Sequence, residues 1–200
     1  MDAKEIRARL LTHTQFLVKI FDNTKFLDMS RLGECPRKLT WEMLHGVNPG
    51  DDLKMRLFKI HQAEEDLQQR LTRVLSPEYT GTRPIQAMKG RVVGFTSGEF
   101  RGMLIKIKSV PDDDALPNGR APNNHYWMAQ ALMHFGHFAN CILIYESRAT
   151  GRIRTYDQFY NPAIGEDCER KARLVLASVD KGKLPKCNCG KCDEHGYVEK

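Results

Sequence analysis

The clearest element of this sequence is a long amphipathic helix in its first half. Apolar side chains recur at spacings of three and four from Leu53 to Val74 and form one continuous stripe. Glu64 is the only charge in that stripe, and a lone carboxylate is costly to bury unless it is paired. The stripe therefore predicts one long helix packed against another layer, with Glu64 either at its rim or facing a polar site.

Two pairs of β-rich segments supply that second layer. Residues 91–97 and 104–110 are joined by a turn over 98–102, and residues 139–147 and 152–160 form a hairpin around Thr150-Gly151. A polar loop precedes the second hairpin. Together with the helix stripe, these segments predict an α/β domain with a mixed central sheet flanked by helices. The other predicted helices cover residues 4–21, 30–44 with a bend at Pro36, 125–138 and 166–180.

Length and composition favour one globular domain over residues 1–200, with an N-terminal helix in 1–27 and a cysteine-rich tail in 183–200. The net charge is +6, which is compatible with a polyanionic partner. No apolar run approaches the roughly 20 residues of a membrane helix. Residues 1–10 lack the apolar region of a signal peptide, so we expect a cytoplasmic protein with reduced cysteines.

The cysteine-rich tail contains the strongest local motif. Cys187, Cys189 and Cys192 place three thiols within six residues, and this spacing is typical of a metal site. His195 is one candidate for the fourth ligand, which would make a local zinc knuckle. Cys141 and Cys168 are more simply interpreted as core or surface thiols.

Four segments in chain order carry a resemblance to a known family. Ser30–Lys38 reads S-R-L-G-E-C-P-R-K, residues 56–65 lie on the long helix, Gly94–Gly98 precedes Leu104–Ser109, and Gln130–His134 precedes the second hairpin. These segments resemble the RecB-like and CRISPR-adaptation branch of the PD-(D/E)xK nucleases, especially its phage exonuclease-like members, over roughly residues 28–192. The resemblance implies a restriction-endonuclease-like core.

The first hairpin departs from the family motif at two positions. In the family, an Asp and a Glu hold a divalent metal, and the Lys that follows steadies the nucleophilic water or the scissile phosphate. This chain has Ser97 at the Asp position and Lys106 at the Glu position, and it retains Lys108. The replacements change the local charge from about −2 to about +1. Mg²⁺ needs anionic or carbonyl oxygens, so the resemblance predicts a site that holds phosphate without cutting it.

The resemblance also assigns roles to residues outside the hairpin. Glu64 is expected to face the degenerate site, where it and Lys108 are the remaining catalytic-type residues. Gln130 matches the first residue of the family's Q-x-x-x-Y motif, and His134 replaces its Tyr. The nucleic-acid contacts predicted on this basis are Lys106, Lys108, Gln130, His134 and Arg91.

Cys35 resembles the first cluster ligand of the family's iron–sulfur members. The resemblance implies that Cys35 and the three tail cysteines bind one metal centre and clip the two ends of the chain together. The tail spacing is tighter than the usual family spacing, so both a [4Fe–4S] cluster and structural zinc stay open.

Three functions follow as hypotheses. The leading one is a catalytically degenerate nuclease fold that binds DNA ends or single strands in phage or mobile-element DNA processing, with other DNA-processing proteins as further partners, in the host cytoplasm if phage-encoded. The second is an active Mg²⁺- or Mn²⁺-dependent exonuclease whose acids have moved to Glu64, Glu99 and 112–114. The third is an interaction module without a nucleic-acid ligand.

Overall fold

The computed structural model describes residues 26–47, 50–187, 189 and 192. The helix predicted over residues 4–21 and the ligand candidate His195 lie outside the described residues. No helix in the described part of the chain is long and apolar enough to cross a membrane. The helices are α1 Pro36–His45, α2 Asp51–Leu75, α3 Asn123–Gly136 and α4 Pro162–Asp180. The strands are β1 Leu27–Asp28, β2 Tyr79–Thr80, β3 Pro84–Ala87, β4 Val92–Phe95, β5 Gly98–Phe100, β6 Met103–Val110, β7 Asn140–Ser147 and β8 Ile153–Phe159.

The main sheet has five strands in the order β2-β5-β6-β7-β8. Only β6 and β7 pair in parallel, and the other neighbours are antiparallel, so the predicted mixed sheet is confirmed. The register places Lys106 beside Leu143 and Lys108 beside Tyr145. The β7–β8 hairpin turns at Gly151, whose φ of 73° is one that glycine adopts readily.

The first predicted hairpin was wrong in its pairing. β4 does not pair with β6, because it lies in a separate three-stranded sheet of order β1-β4-β3. The segment predicted as a turn, Gly98–Phe100, is itself a strand that pairs antiparallel with Met103–Ile105. The short local turn at Arg101-Gly102 therefore closes a β5–β6 hairpin, while β4 takes partners from distant parts of the chain.

The helix predicted to begin at Ser30 was also wrong. Residues 29–31 form a 3₁₀ turn, in which the Asp28 carboxylate accepts a hydrogen bond from the Ser30 backbone N–H at 2.8 Å. Helix α1 begins only at Pro36, with Cys35 as its N-cap. Proline lacks the N–H that a helix interior needs, but it suits the first helical position, so it starts this helix instead of bending it.

Helices cover both faces of the main sheet. α3 and α4 bury one face in the larger core, which contains Leu104, Leu143 and Tyr145, while α2 covers Ile105 and Ile107 on the other. The predicted α2 stripe is buried only in part, because Leu67 is its one fully buried member among the described residues. Its ends are open, with Leu53 47% and Val74 77% exposed.

β4 approaches α3 closely. A Cβ placed on Gly94 would lie 2.6 Å from a methyl carbon of Leu132 on α3 and 2.8 Å from the Met29 sulfur. Real Cβ atoms essentially never come so near another heavy atom, so a larger residue would force the strand away from the helix. The small size of Gly94 therefore lets β4 pack directly against Leu132 and Met29.

Candidate nucleic-acid cleft and cysteine cluster

Lys106 and Lys108 lie on the α3 side of β6. Successive side chains of a strand alternate between faces, so these two share one face while Ile105 and Ile107 enter the α2 core. Lys106 is half-buried, and its Nζ donates a hydrogen bond to the carbonyl oxygen of Phe95 at 3.1 Å. The ammonium therefore spans the gap between β6 and the end of β4. We call the space around these two lysines the lysine cleft.

The charge of Lys106 is set by burial and by its neighbours. Burial and, to a lesser extent, the like charge of Lys108 lower the pKa of Lys106 to about 8, against the opposing effect of the Glu64 and Asp28 carboxylates. At neutral pH the group is still mainly charged. The cleft thus contains two ammonium groups with two carboxylates nearby, and it is less basic than the lysine positions alone predict.

Ser97 is used by the backbone of the sheet. Its buried hydroxyl oxygen accepts a hydrogen bond from the Ile107 N–H at 3.0 Å, and its own N–H donates to the Ile105 carbonyl at 2.9 Å. The Tyr79 hydroxyl donates to the Ser97 carbonyl oxygen at 2.6 Å. Ser97 therefore fastens the break between β4 and β5 to the middle of β6, beside both lysines.

Glu64 reaches the same strand from helix α2. Its carboxylate accepts a hydrogen bond from the Ser109 N–H at 3.4 Å, one residue beyond Lys108. This contact and its electrostatic effect on Lys106 place Glu64 next to the lysine cleft. The structure thus brings Glu64, Ser97, Lys106 and Lys108 together around β6, as the motif order predicts.

Three residues beside the cleft were missed by sequence reasoning. His125 on α3 shares a hydrogen bond with the Tyr145 hydroxyl at 2.8 Å; burial, with Lys108 and Lys106, lowers the pKa of His125 to about 4 and keeps it neutral. Asp28 acts on Lys106, and its position directly before the Ser30–Lys38 motif was the available signal. Phe95 is 40% exposed, and only its place in the glycine motif pointed to it.

The other acids considered as relocated metal ligands lie in separate places. Glu99 pairs with Arg83 at 2.9 Å, the Asp113 carboxylate accepts from Thr150 at 2.5 Å, and Asp112 accepts from the Ala115 N–H at 3.0 Å. Within the described residues, the only group of three or more His, Cys, Asp or Glu side chains close enough to share an ion is formed by cysteines.

Gln130 has a structural environment. It is fully buried at 0% exposure, its amide nitrogen donates to the Phe159 carbonyl at 2.8 Å, and its amide oxygen accepts from the Asn161 N–H at 2.8 Å. Both ends of the amide thus bond to backbone at the junction between β8 and α4. The structure places Gln130 in the protein interior, where backbone groups occupy its amide.

Arg91 and His134 line a different surface, a groove of about 1190 Å³ near the C-terminal end of α3. Arg91 forms a two-pronged pair with Asp180 at 2.7 and 2.9 Å. His134 is held between the Tyr160 hydroxyl at 2.7 Å and the Glu169 carboxylate at 3.0 Å. The predicted nucleic-acid residues therefore fall in three places, and only Lys106 and Lys108 lie in the cleft.

The four predicted ligand cysteines come together. Their sulfur atoms all lie within 4.8 Å of one another, although Cys35 precedes α1 and the other three follow α4. Cys141 and Cys168 are buried outside this cluster, and burial raises the pKa of Cys141 to about 12 and that of Cys168 to about 11. The cysteine cluster (Cys35, Cys187, Cys189 and Cys192) is thus close enough to bind a metal.

Comparison with known proteins identifies the fold. No family model and no curated protein matches the sequence. The alkaline exonuclease from Laribacter hongkongensis matches with a TM-score of 0.62 at 13% identity, covering 80% of this chain and 90% of that one. Its complex with dAMP matches with a TM-score of 0.63 at 12% identity, covering 90% and 100%. A phage-related exonuclease from Haemophilus somnus 129PT gives 0.59 at 12% identity, covering 78% and 94%.

These matches cover nearly the whole of each exonuclease chain, so they concern the complete fold. At 12–13% identity they establish the fold and not the chemistry. The chain has the fold of these exonuclease structures, and the predicted α/β fold class with a mixed sheet flanked by helices is confirmed.

Proposed function

We propose that this protein binds DNA in the lysine cleft and has lost the metal-dependent cleavage associated with its fold. The observation that carries the proposal is the position of Lys106. Its ammonium bonds to the Phe95 carbonyl oxygen and lies under the influence of Glu64 and Asp28. A divalent cation would bind a carbonyl oxygen and two carboxylates of this kind. In this protein the Lys106 ammonium interacts with these groups instead.

The same arrangement opposes metal binding. An ammonium repels a divalent cation and competes with it for the same oxygens, and the Ser97 hydroxyl is already accepting the Ile107 N–H. Without a bound cation, an attacking water is not activated and the charge that develops on the phosphate is not neutralised. We therefore propose that Lys108 and Glu64 are remnants of a catalytic site.

Lys108 is the principal phosphate contact in this proposal. Nothing in the described part of the chain pairs with its ammonium, whereas Lys106 is held by the Phe95 carbonyl. One of the exonuclease structures with this fold contains dAMP, which supports a nucleotide-sized ligand for this chain as well. Lys106 supplies a second, weaker attraction, because Glu64 and Asp28 offset part of its charge.

Phe95 favours single strands or frayed ends over intact duplex. Its side chain is 40% exposed, and its carbonyl oxygen contacts Lys106, so an aromatic residue adjoins the proposed phosphate site. Bases stack on exposed aromatic rings when they are unpaired, and this contact tolerates any sequence. We propose that the protein binds DNA ends or single strands during phage or mobile-element DNA processing. It would act in the cytoplasm, together with other DNA-processing proteins.

The cysteine cluster has a structural part in this proposal. A metal held by Cys35 and the three tail cysteines, either a [4Fe–4S] cluster or zinc, would fasten the C-terminal segment to the start of α1. Such a centre would stabilise the fold around the cleft without taking part in DNA contact.

The test is DNA binding measured by fluorescence anisotropy at several salt concentrations, with EDTA in one series and Mg²⁺ or Mn²⁺ in the other. We expect binding in both series, a preference for single strands, and no degradation. Lys108→Met should weaken binding about tenfold and reduce the slope of log affinity against log salt by about 1. Lys181→Met is the matched control, because Lys181 is exposed and follows Asp180, which lines the separate groove. This variant should leave the DNA affinity and the salt slope unchanged.

Two results would overturn the proposal. Absence of binding at low salt would favour the interaction module. Degradation of DNA with Mn²⁺, lost in Glu64→Ala, would favour the active exonuclease with relocated acids.

A further inference from the structure

The cysteine cluster brings together sulfur atoms from two distant parts of the chain. Cys35 is the N-cap of α1, whereas the other three cysteines lie beyond the end of α4. Helices α1 and α4 pack against each other, which brings these two regions side by side. Cys187 and Cys189 lie towards the outside of the cluster and Cys192 is buried.

The spacing of the sulfur atoms discriminates between the two metal centres. The six Sγ···Sγ distances are 2.9, 3.0, 3.2, 3.4, 3.6 and 3.8 Å, so every thiol contacts the three others. Four thiolates around one tetrahedral zinc with Zn–S bonds of about 2.3 Å lie about 3.8 Å apart. A cubane inserts four irons and four sulfides between its thiolates, and a tetrahedron of these dimensions has no room for them.

We infer that the cysteine cluster holds one zinc ion in a tetrathiolate site, and that a [4Fe–4S] cluster does not fit it. To reach the zinc geometry the sulfur atoms need to move apart by about 0.5 Å on average, and by about 0.9 Å for the closest pair, Cys187 and Cys189 at 2.9 Å. Disulfides are a poorer account, because they join sulfurs in pairs, whereas here each sulfur has three sulfur neighbours.

No side-chain capping bond engages Cys35 at the start of α1, and the first turn of that helix has no acidic residue. The four thiolates and a Zn²⁺ carry about −2 in total, and lysines precede the cluster at 181, 183 and 186.

The segment that carries Cys35 is ordered independently of the metal. Arg31 pairs with Glu34 at 2.7 Å and with Glu42 at 2.5 Å, and Lys38 pairs with Glu34 at 2.6 Å. These contacts fix the turn before α1 and present Cys35 in one orientation. The zinc then captures the tail, which has no regular structure between Asp180 and the first tail cysteine.

A zinc clip differs from an iron–sulfur cluster in one consequence. Zinc has no accessible second oxidation state in proteins, so this site would fasten the tail without responding to electron transfer. The DNA affinity should then stay unchanged under mild reduction or oxidation, which would change the oxidation state of an iron–sulfur cluster.

The test is metal and sulfide analysis of the full chain, purified under strict anaerobiosis from cells supplied with both iron and zinc. We expect one zinc per chain, no acid-labile sulfide and no visible colour. Exchange of the ion for Co²⁺ should give the intense visible absorption of a tetrahedral cobalt thiolate. Four irons and four sulfides per chain would overturn the inference, and so would a metal-free protein with disulfides.

Variants distinguish a ligand from a merely structural cysteine. Cys189→Ser should lower the zinc content at least twofold and speed zinc release to a chelator at least tenfold, because Cys189 is exposed and its loss leaves three thiols. Cys168→Ala removes a buried thiol outside the cluster and should keep one zinc per chain. Trypsin should cleave after Lys183 or Lys186 at least tenfold faster once zinc is removed. Equal zinc content in both variants, or tail cleavage unaffected by chelation, would contradict the clip.

Discussion

The cysteine cluster and the lysine cleft are both places where a protein of this fold could hold a cation, and they differ in which ligands they retain. At the cysteine cluster, four thiols from distant parts of the chain surround a space for one ion. At the lysine cleft, the chain supplies the positive charge itself, because the Lys106 ammonium bonds to the Phe95 carbonyl oxygen.

The difference separates two uses of a metal. A structural ion stabilises the fold whichever reaction the protein performs, so its ligands can be retained when catalysis is lost. A catalytic ion is needed only for the reaction. Once catalysis is lost, a lysine ammonium can interact with the same oxygens, and the protein no longer needs to bind a free ion. The comparison therefore predicts large effects on stability at the cysteine cluster and moderate effects on DNA affinity at the lysine cleft.

The largest effect we expect comes from stripping the metal at the cysteine cluster. A ligand at a thousand times its dissociation constant stabilises the folded state by about 4 kcal/mol. For a domain of this size that corresponds to a fall in Tm of about 10 °C on chelation. Differential scanning calorimetry with and without a strong chelator measures it. Cys35→Ser should already have the lower Tm, and chelator should not change it further. If chelation left the Tm of the unmodified protein unchanged, the predicted effect on stability would be wrong.

A smaller effect is expected from pH at the lysine cleft. Because burial places the pKa of Lys106 at about 8, below the usual value for lysine, the ammonium is present below that pH and is lost as the pH rises through it. DNA affinity should therefore fall about three- to tenfold between pH 7 and pH 9. Anisotropy titrations across this range measure the fall. Lys106→Met should bind more weakly at pH 7 and show a much flatter profile, and a fall of the same size in that variant would assign the effect elsewhere.

The smallest effect is expected from neutralising the carboxylate beside the cleft. Glu64→Gln keeps an oxygen that can accept the Ser109 N–H but removes a negative charge near the bound phosphate. A like charge about 4 Å away costs about 1 kcal/mol when it is screened as in bulk water, so DNA should bind about fivefold tighter. Glu65→Gln changes the neighbouring exposed residue and should have little effect. Weaker binding in Glu64→Gln would mean that Glu64 helps to hold DNA or a metal.

Sequence periodicity predicted the elements whose pattern is long and local. The long helix, the loop before α3 and the β7–β8 hairpin lie where the apolar spacing and the turn residues place them. The cysteine cluster was predicted as well, because the spacing of the three tail thiols indicates a metal site and the family resemblance added Cys35 to them. These parts depend on neighbours in the sequence or on ligand chemistry.

The errors concern contacts between distant segments. β4 pairs in parallel with Leu27–Asp28, a strand of two residues that is too short for sequence periodicity to predict. The first predicted hairpin was therefore assigned to the wrong strands. Gln130 was predicted to contact nucleic acid because it matches the first residue of the family's Q-x-x-x-Y motif. In the fold, its amide is buried at the β8–α4 junction, where it satisfies two backbone groups.

The site residues divide in the same way. The motif order placed Glu64, Ser97, Lys106 and Lys108 together, since they depend on one strand and its immediate partners. Arg91 and His134 were grouped with them by resemblance, but they line the separate groove at the C-terminal end of α3. Asp28 and His125 reach the cleft from separate elements, and their charge effects became visible only in three dimensions.

The most direct measurement of the central claim is a Mn²⁺ titration followed by electron paramagnetic resonance, on the unmodified protein and on a Ser97→Asp/Lys106→Glu double variant. The account predicts no Mn²⁺ uptake at the cleft of the unmodified protein. It predicts one bound ion in the double variant, where two carboxylates join Glu64 and the Phe95 carbonyl oxygen. Stoichiometric Mn²⁺ binding by the unmodified protein, removed by Glu64→Ala, would contradict it.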